Sequence, residues 1–139
     1  AIKFFRELGE YALLRNTVIG MEPNPPIYNT NYINDTSAAI NLIKEVDSKG
    51  FLLNLDIGAM IENKESVDII KGEGKYINHV HISEPNLKTI LCRNIHNEVY
   101  DYLKDEKFNG YISIEMGQVN DISLLEDVMR YVKEVFADE

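Results

Sequence analysis

Four short apolar runs in this chain each end at a side chain that can bind a metal or carry a proton. Residues 17–22 stop on Glu22, 51–56 on Asp56, 76–82 hold His81 next to their end, and 111–115 stop on Glu115. These four side chains stand 34, 25 and 34 positions apart. Each gap has room for one strand, one loop and one helix, so the pattern calls for repeated βα units. Side chains alternate along a strand. The residues two positions further back, Gly20, Asn54, His79 and Ser113, therefore share a face with the four tips, and all are small or polar. The intervening Met21, Leu55, Val80 and Ile114 are apolar. A flat parallel sheet covered by helices on both sides would be apolar on both faces. One apolar and one polar face fit a barrel with a polar mouth.

The stretches between the runs read as helices. Residues 2–14 place Ile2, Phe5, Leu8, Ala12 and Leu13 at helical spacing. Asp35 and Thr36 offer N-caps to a helix carrying Ala39, Ile40, Leu42, Ile43 and Val46. Gly50 stands where a helix C-terminus favours a left-handed residue. Shorter helices are expected near 64–71 and 94–104. Ser123 with Glu126 forms a capping box ahead of a last helix with Leu125, Val128, Met129, Val132, Val135 and Phe136 on one face. The order is α, then βα four times, which implies a parallel sheet with right-handed crossovers. No linker or low-complexity stretch interrupts it, so residues 1–139 are expected to form a single domain.

Charge and composition narrow the function. A net charge of −9 argues against a nucleic-acid surface, where phosphate contacts need clustered Lys and Arg, and suits an anionic membrane poorly. No run of about 18 apolar residues is present to span a membrane, and no signal-peptide pattern opens the chain. Cys92 is the only cysteine. A disulfide within the chain is excluded, a cytoplasmic setting is expected, and the thiol is expected to be packed.

His79 and His81 project from the same face of one strand, the beginning of a metal site. Glu22, Asp56 and Glu115 join His81 at the carboxyl ends of their strands, where parallel α/β folds hold ligands. Taken singly, a strand-end carboxylate caps a neighbouring helix and a His pair is structural. Taken in register, three carboxylates and an imidazole suit a divalent cation. Oxygen-rich ligation favours Mn2+ or Mg2+, with Co2+ or Zn2+ as alternatives. Without a cation the carboxylates repel, and at least one is expected to hold a proton.

The segments Gly20-Met21-Glu22-Pro23, Leu53-Asn54-Leu55-Asp56-Ile57-Gly58, His79-Val80-His81-Ile82-Ser83-Glu84 and Tyr111-Ile112-Ser113-Ile114-Glu115 resemble the second half of a sugar isomerase/epimerase barrel. This is the xylose isomerase-like, AP endonuclease family 2 superfamily. The resemblance covers nearly the whole chain and implies an α/β fold: the C-terminal half, strands 5–8 with their helices, of a TIM (β/α)8 barrel. It implies that Glu22, Asp56, His81 and Glu115 bind one metal, and that Glu22 and Glu115 also move a proton on and off a sugar carbon. Asn24, His79, Glu84 and Asn86 are the candidate substrate contacts.

Three departures from the family pattern stand out. Ala59 occupies a position, three residues past the aspartate, where the family usually has histidine. The loop 83–93 lacks the further His and Asp ligands that AP endonucleases use, which disfavours DNA repair. Leu87 falls near a substrate-holding arginine of the epimerases; Arg93 or Lys88 could substitute, though each also reads as a solvated loop charge. His96 reads either as a further polar contact or, at least as readily, as a surface residue at a helix start. A full barrel needs about 250 residues. The chain is therefore expected to be a fragment that opens inside a helix, with pairing of two copies as the other route to a barrel and a homo-oligomer left open.

The leading expectation is a metal-dependent sugar or sugar-phosphate isomerase or epimerase acting on a small-molecule substrate, the fragment alone being inactive. The alternatives are a non-catalytic carbohydrate-binding or scaffold protein on a degenerate barrel, and a lyase or dehydratase of the same superfamily.

Overall fold

The computed structural model describes residues 1–137. Helix α1 (Ile2–Leu13) leads into β1 (Ile19–Met21), α2 (Thr36–Val46), β2 (Phe51–Asp56), α3 (Ile57–Asn63), β3 (Ile77–Ile82), α4 (Asn94–Asp105), β4 (Tyr111–Ile114) and α5 (Ile122–Phe136). The strands pair in parallel, in the order β1-β2-β3-β4. Sequential order with a helix in every crossover is half the circumference of a (β/α)8 barrel. The expected fold class stands.

The two sheet faces differ as the alternation demands. Leu53, Leu55, Val80 and Ile82 turn outward and are fully buried among Ile40, Ile43, Val46, Met60 and Val99 of the helices. Asn54, His79 and Ser113 on the inner face keep partial exposure. The inner row is not level. Met21 pairs with Leu53, Asp56 with His81, and His81 with Ser113. This stagger is what curling a sheet into a barrel requires. It lifts Asn54 to the level of the residue after Met21, which is Glu22.

Several local expectations are corrected. A helix, α3, begins immediately after Asp56, and the stretch near 64–71 holds only a 3₁₀ turn at Val67–Ile70. Asp56 caps α3 through its own carboxylate, which accepts from the Ala59 N–H. The left-handed residue closing α2 is Asp47 (φ 49°). Gly50 answers a different need: a Cβ there would lie 2.0 Å from the Gly9 carbonyl oxygen of α1. Helix α5 is capped by Asp121, which accepts from the N–H groups of Ser123 and Leu124, so the Ser123/Glu126 box is not the cap. Asp35 caps α2 as expected.

The flanks carry exposed apolar side chains. Phe4 and Leu14 on or beside α1, and Ile122 and Met129 on α5, are more than half exposed. These are the surfaces a half-barrel presents at its two open edges.

Candidate metal centre

The four strand tips meet. One donor atom from each of Glu22, Asp56, His81 and Glu115 lies within 4.8 Å of the others. His81 Nδ1 stands 2.8 Å from Glu22 Oε1, 3.2 Å from Glu115 Oε2 and 4.0 Å from Asp56 Oδ2. Glu115 reaches the cluster because its N–H donates to the Ile82 carbonyl, extending the β3–β4 ladder one residue beyond β4. No Lys or Arg among the described residues pairs with these three carboxylates. Burial, and then the charge of Asp56, push the Glu22 carboxyl above its ordinary range, with His81 pulling the other way. Burial likewise raises Asp56, against the lowering effect of the Ala59 N–H and the Ser83 hydroxyl.

The cluster rests on a layer of supporting contacts. Ser83 Oγ donates to Asp56 Oδ2 (2.8 Å) and accepts from the Gly58 N–H (2.9 Å). A Cβ at Gly58 would stand 2.4 Å from Ser83 Oγ, so glycine is needed there. Asn54 Nδ2 donates to Glu22 Oε1 (3.0 Å) and lies 3.3 Å from His81 Nδ1. Asp56 therefore does two things at once: one oxygen caps α3, the other faces the cluster. An oxygen-rich, net anionic donor set with one imidazole is the chemistry that holds a hard divalent cation. These residues fit the metal that such a barrel implies.

A cavity of about 380 Å³ opens over the cluster, lined by Glu22, Asp56 and Glu115 and by Pro23, Asn24, Pro25, Tyr28, Thr30, Ser83 and Leu87. The other expected contacts divide. Asn24 lines the cavity. His79 lies on the inner face, its ring 5.0 Å from that of His81, with Nε2 2.9 Å from Ser113 Oγ. Glu84 is turned away: it is 3% exposed and both its oxygens are held at 2.6 Å by Arg93. Asn86 and Lys88 line a neighbouring cleft rather than this cavity. His96, expected at the surface, is fully buried, with Nδ1 2.8 Å from Tyr131 Oη. Cys92, expected to be packed, is exposed.

Sequence reasoning missed three contacts. Asn54 was visible as an inner-face residue, but only the stagger brings it to Glu22. Ser83 follows β3 directly, where a small hydroxyl was the available signal. Tyr28 lay unmarked in the Asn- and Tyr-rich loop.

Fold and site together define an α/β half-barrel with a carboxylate–imidazole centre at its mouth. The profile of the xylose isomerase-like TIM barrel matches residues 1–135, and the chain belongs to that family. No curated protein sequence matches it. Among solved structures it resembles the D-psicose 3-epimerase of Clostridium cellulolyticum, with a TM-score of 0.80 and 19% identity over 97% of this chain and 55% of that one. It resembles the 3-keto-D-glucoside 4-epimerase of E. coli with a TM-score of 0.82 and 19% identity, over 96% and 52% of the two chains. A probable 3-DHS dehydratase from Bacillus anthracis gives a TM-score of 0.67 and 21% identity, over 99% and 56%. The chain thus spans about half the length of these proteins. Among the described residues no helix is long and apolar enough to cross a membrane.

Proposed function

We propose that this chain forms the metal-binding half of a sugar isomerase or epimerase. The observation that carries the reading is the meeting of Glu22, Asp56, His81 and Glu115 from four successive strand ends, with no Lys or Arg among the described residues to neutralise them. A divalent cation held there, Mn2+ or Mg2+ by ligand chemistry, would polarise a substrate carbonyl and make the adjacent C–H more acidic. Glu22 and Glu115 come from the first and last of the four strands. One accepts the proton from the substrate carbon and the other returns it. Asp56 is a ligand kept in place by Ser83 and by its cap on α3, and His81 is the nitrogen donor. Asn24 and His79 are the substrate contacts this half retains.

The test pairs metal analysis of the full-length protein with Glu115→Gln kinetics on a ketose panel. Bound Mn2+ or Mg2+ and a loss of turnover of about 10²–10⁴-fold are expected. A protein that binds no divalent metal, or a variant with undiminished rate, overturns the reading. A lyase or dehydratase using the same centre is the second reading, favoured by Leu87 standing near where the epimerases have a substrate-holding arginine. NMR of the products separates the two, because elimination consumes the polyol and releases water.

A further inference from the structure

The cavity at the barrel mouth has two unlike parts. At the strand tips stand the carboxylates of Glu22, Asp56 and Glu115, and on the loops beyond them stand Pro25, Tyr28 and Leu87. The polar groups of the loop after β1 are turned onto one another. Thr30 Oγ1 donates to the Asn24 carbonyl (2.6 Å), and Asn34 Nδ2 donates to the same carbonyl (2.6 Å) and to Thr30 Oγ1 (2.9 Å). The Tyr28 hydroxyl accepts from the Asn86 N–H at 2.8 Å.

Leu87 is fixed on both sides. Its N–H donates to the Glu84 carbonyl (2.9 Å) and its carbonyl accepts from the Gly117 N–H (2.7 Å). Its backbone is left-handed, φ 52°, a conformation that is unfavourable for leucine. The loop keeps an apolar side chain on the cavity wall despite that strain. No Lys or Arg among the described residues lines the cavity: Lys88 and Arg93 line the neighbouring cleft, and Arg93 is taken up by Glu84.

Building on the sugar-site reading, we propose that the ligand carries no phosphate and turns a bare carbon group, a methyl or methylene in place of a hydroxyl, onto Leu87, Tyr28 and Pro25. A hydroxyl placed there would lose its water and find few free partners. A phosphate on the same wall would meet Pro25, Tyr28 and Leu87, with no Lys or Arg among the described residues that line the cavity to pair with it.

Calorimetry on the full-length, Mn2+-loaded protein tests this with four probes: D-fructose, 1-deoxy-D-fructose, 6-deoxy-D-fructose and D-fructose 6-phosphate. One deoxy sugar should bind about 10–100-fold more tightly than D-fructose, and the phosphate should bind most weakly. Leu87→Asn, which suits the left-handed backbone, should erase the preference. The proposal is overturned if D-fructose or its phosphate binds as tightly as both deoxy sugars, if none of the four binds, or if the preference survives Leu87→Asn. Turnover read on the same samples keeps the two ideas apart. A deoxy preference with no isomerisation of any probe supports this proposal and sinks the isomerase reading; isomerisation without the preference does the reverse.

Discussion

Ser83 and Glu84 are neighbours in sequence, yet their side chains serve two different polar clusters. Ser83 turns to the barrel mouth, where three carboxylates crowd one imidazole with no Lys or Arg among the described residues to balance them. Glu84 turns to a closed network. Arg93 grips both its oxygens, the Leu91 N–H adds a third bond, and the Arg93 N–H donates to Tyr131 Oη, which also meets His96. The second cluster satisfies nearly every group it buries and gains nothing from a ligand. The first leaves like charges facing each other, an arrangement that folding alone would not favour. Internal balance separates a part that holds the loop from a part whose like charges are left uncompensated, as the proposed cation site requires.

Breaking each cluster should have opposite consequences. The largest effect expected is Glu115→Gln in the full-length protein: turnover falls about 10²–10⁴-fold, while the metal-free form unfolds at the same or a higher temperature because repulsion at the mouth is relieved. Next is Arg93→Ala, which strands the buried Glu84. Removing one partner of a buried pair costs about 3–5 kcal/mol. Since the Arg93 side chain keeps 34% exposure, about 2–3 kcal/mol is expected in a urea titration, with metal affinity changing less than stability. Ser83→Ala sharpens the contrast from the seam between the clusters. Its hydroxyl orients Asp56, so Mn2+ affinity by calorimetry should drop about 10–100-fold, against a stability loss of only about 1 kcal/mol. A Ser83→Ala protein that loses stability but keeps its Mn2+ affinity would erase the distinction.

The mouth cluster was legible because it is written in strand periodicity: four polar tips on apolar runs place Glu22, Asp56, His81 and Glu115 without any knowledge of the register. The supporting layer was not, because it depends on stagger. Asn54 is level with Glu22 only once the strands tilt. The network around Glu84 was misread for a related reason. Glu84, Arg93, His96 and Tyr131 sit on a loop and two helices, and nothing local says that α5 will lay Tyr131 over the start of α4. His96 therefore looked like a surface residue although it is buried, and Glu84 looked like a substrate contact although Arg93 occupies it. Local capping failed where two candidates competed within a few residues: Asp121 displaced Ser123, and Asp47 took the left-handed position ahead of Gly50. Helix α3 was overlooked because Gly58 reads as a breaker; here its missing Cβ is what lets Ser83 approach.

The smallest effect is the one most specific to the comparison. Glu22 and Asp56 hold carboxyl groups raised above their ordinary values of 4.5 and 3.8, so the folded, metal-free chain binds more protons than the unfolded one in that range. Their contribution to stability grows as pH falls from neutrality towards about 4.5. His96 is held below its ordinary value of 6.5 by burial. It binds fewer protons when folded, so its contribution is lost as pH falls below 6.5. The Glu22–Asp56 pair and His96 therefore pull the acid limb of the stability curve in opposite directions. Thermal unfolding in EDTA between pH 7 and 5 separates them. Glu22→Gln should reduce the gain on acidification, and His96→Gln should enlarge it. Adding Mn2+ should reverse the wild-type trend, since carboxylates must lose their protons to bind it and acid then strips the stabilising ion. If both variants shift the limb the same way, the mouth is no more strained than the network behind it, and the case for a cation there loses its physical basis.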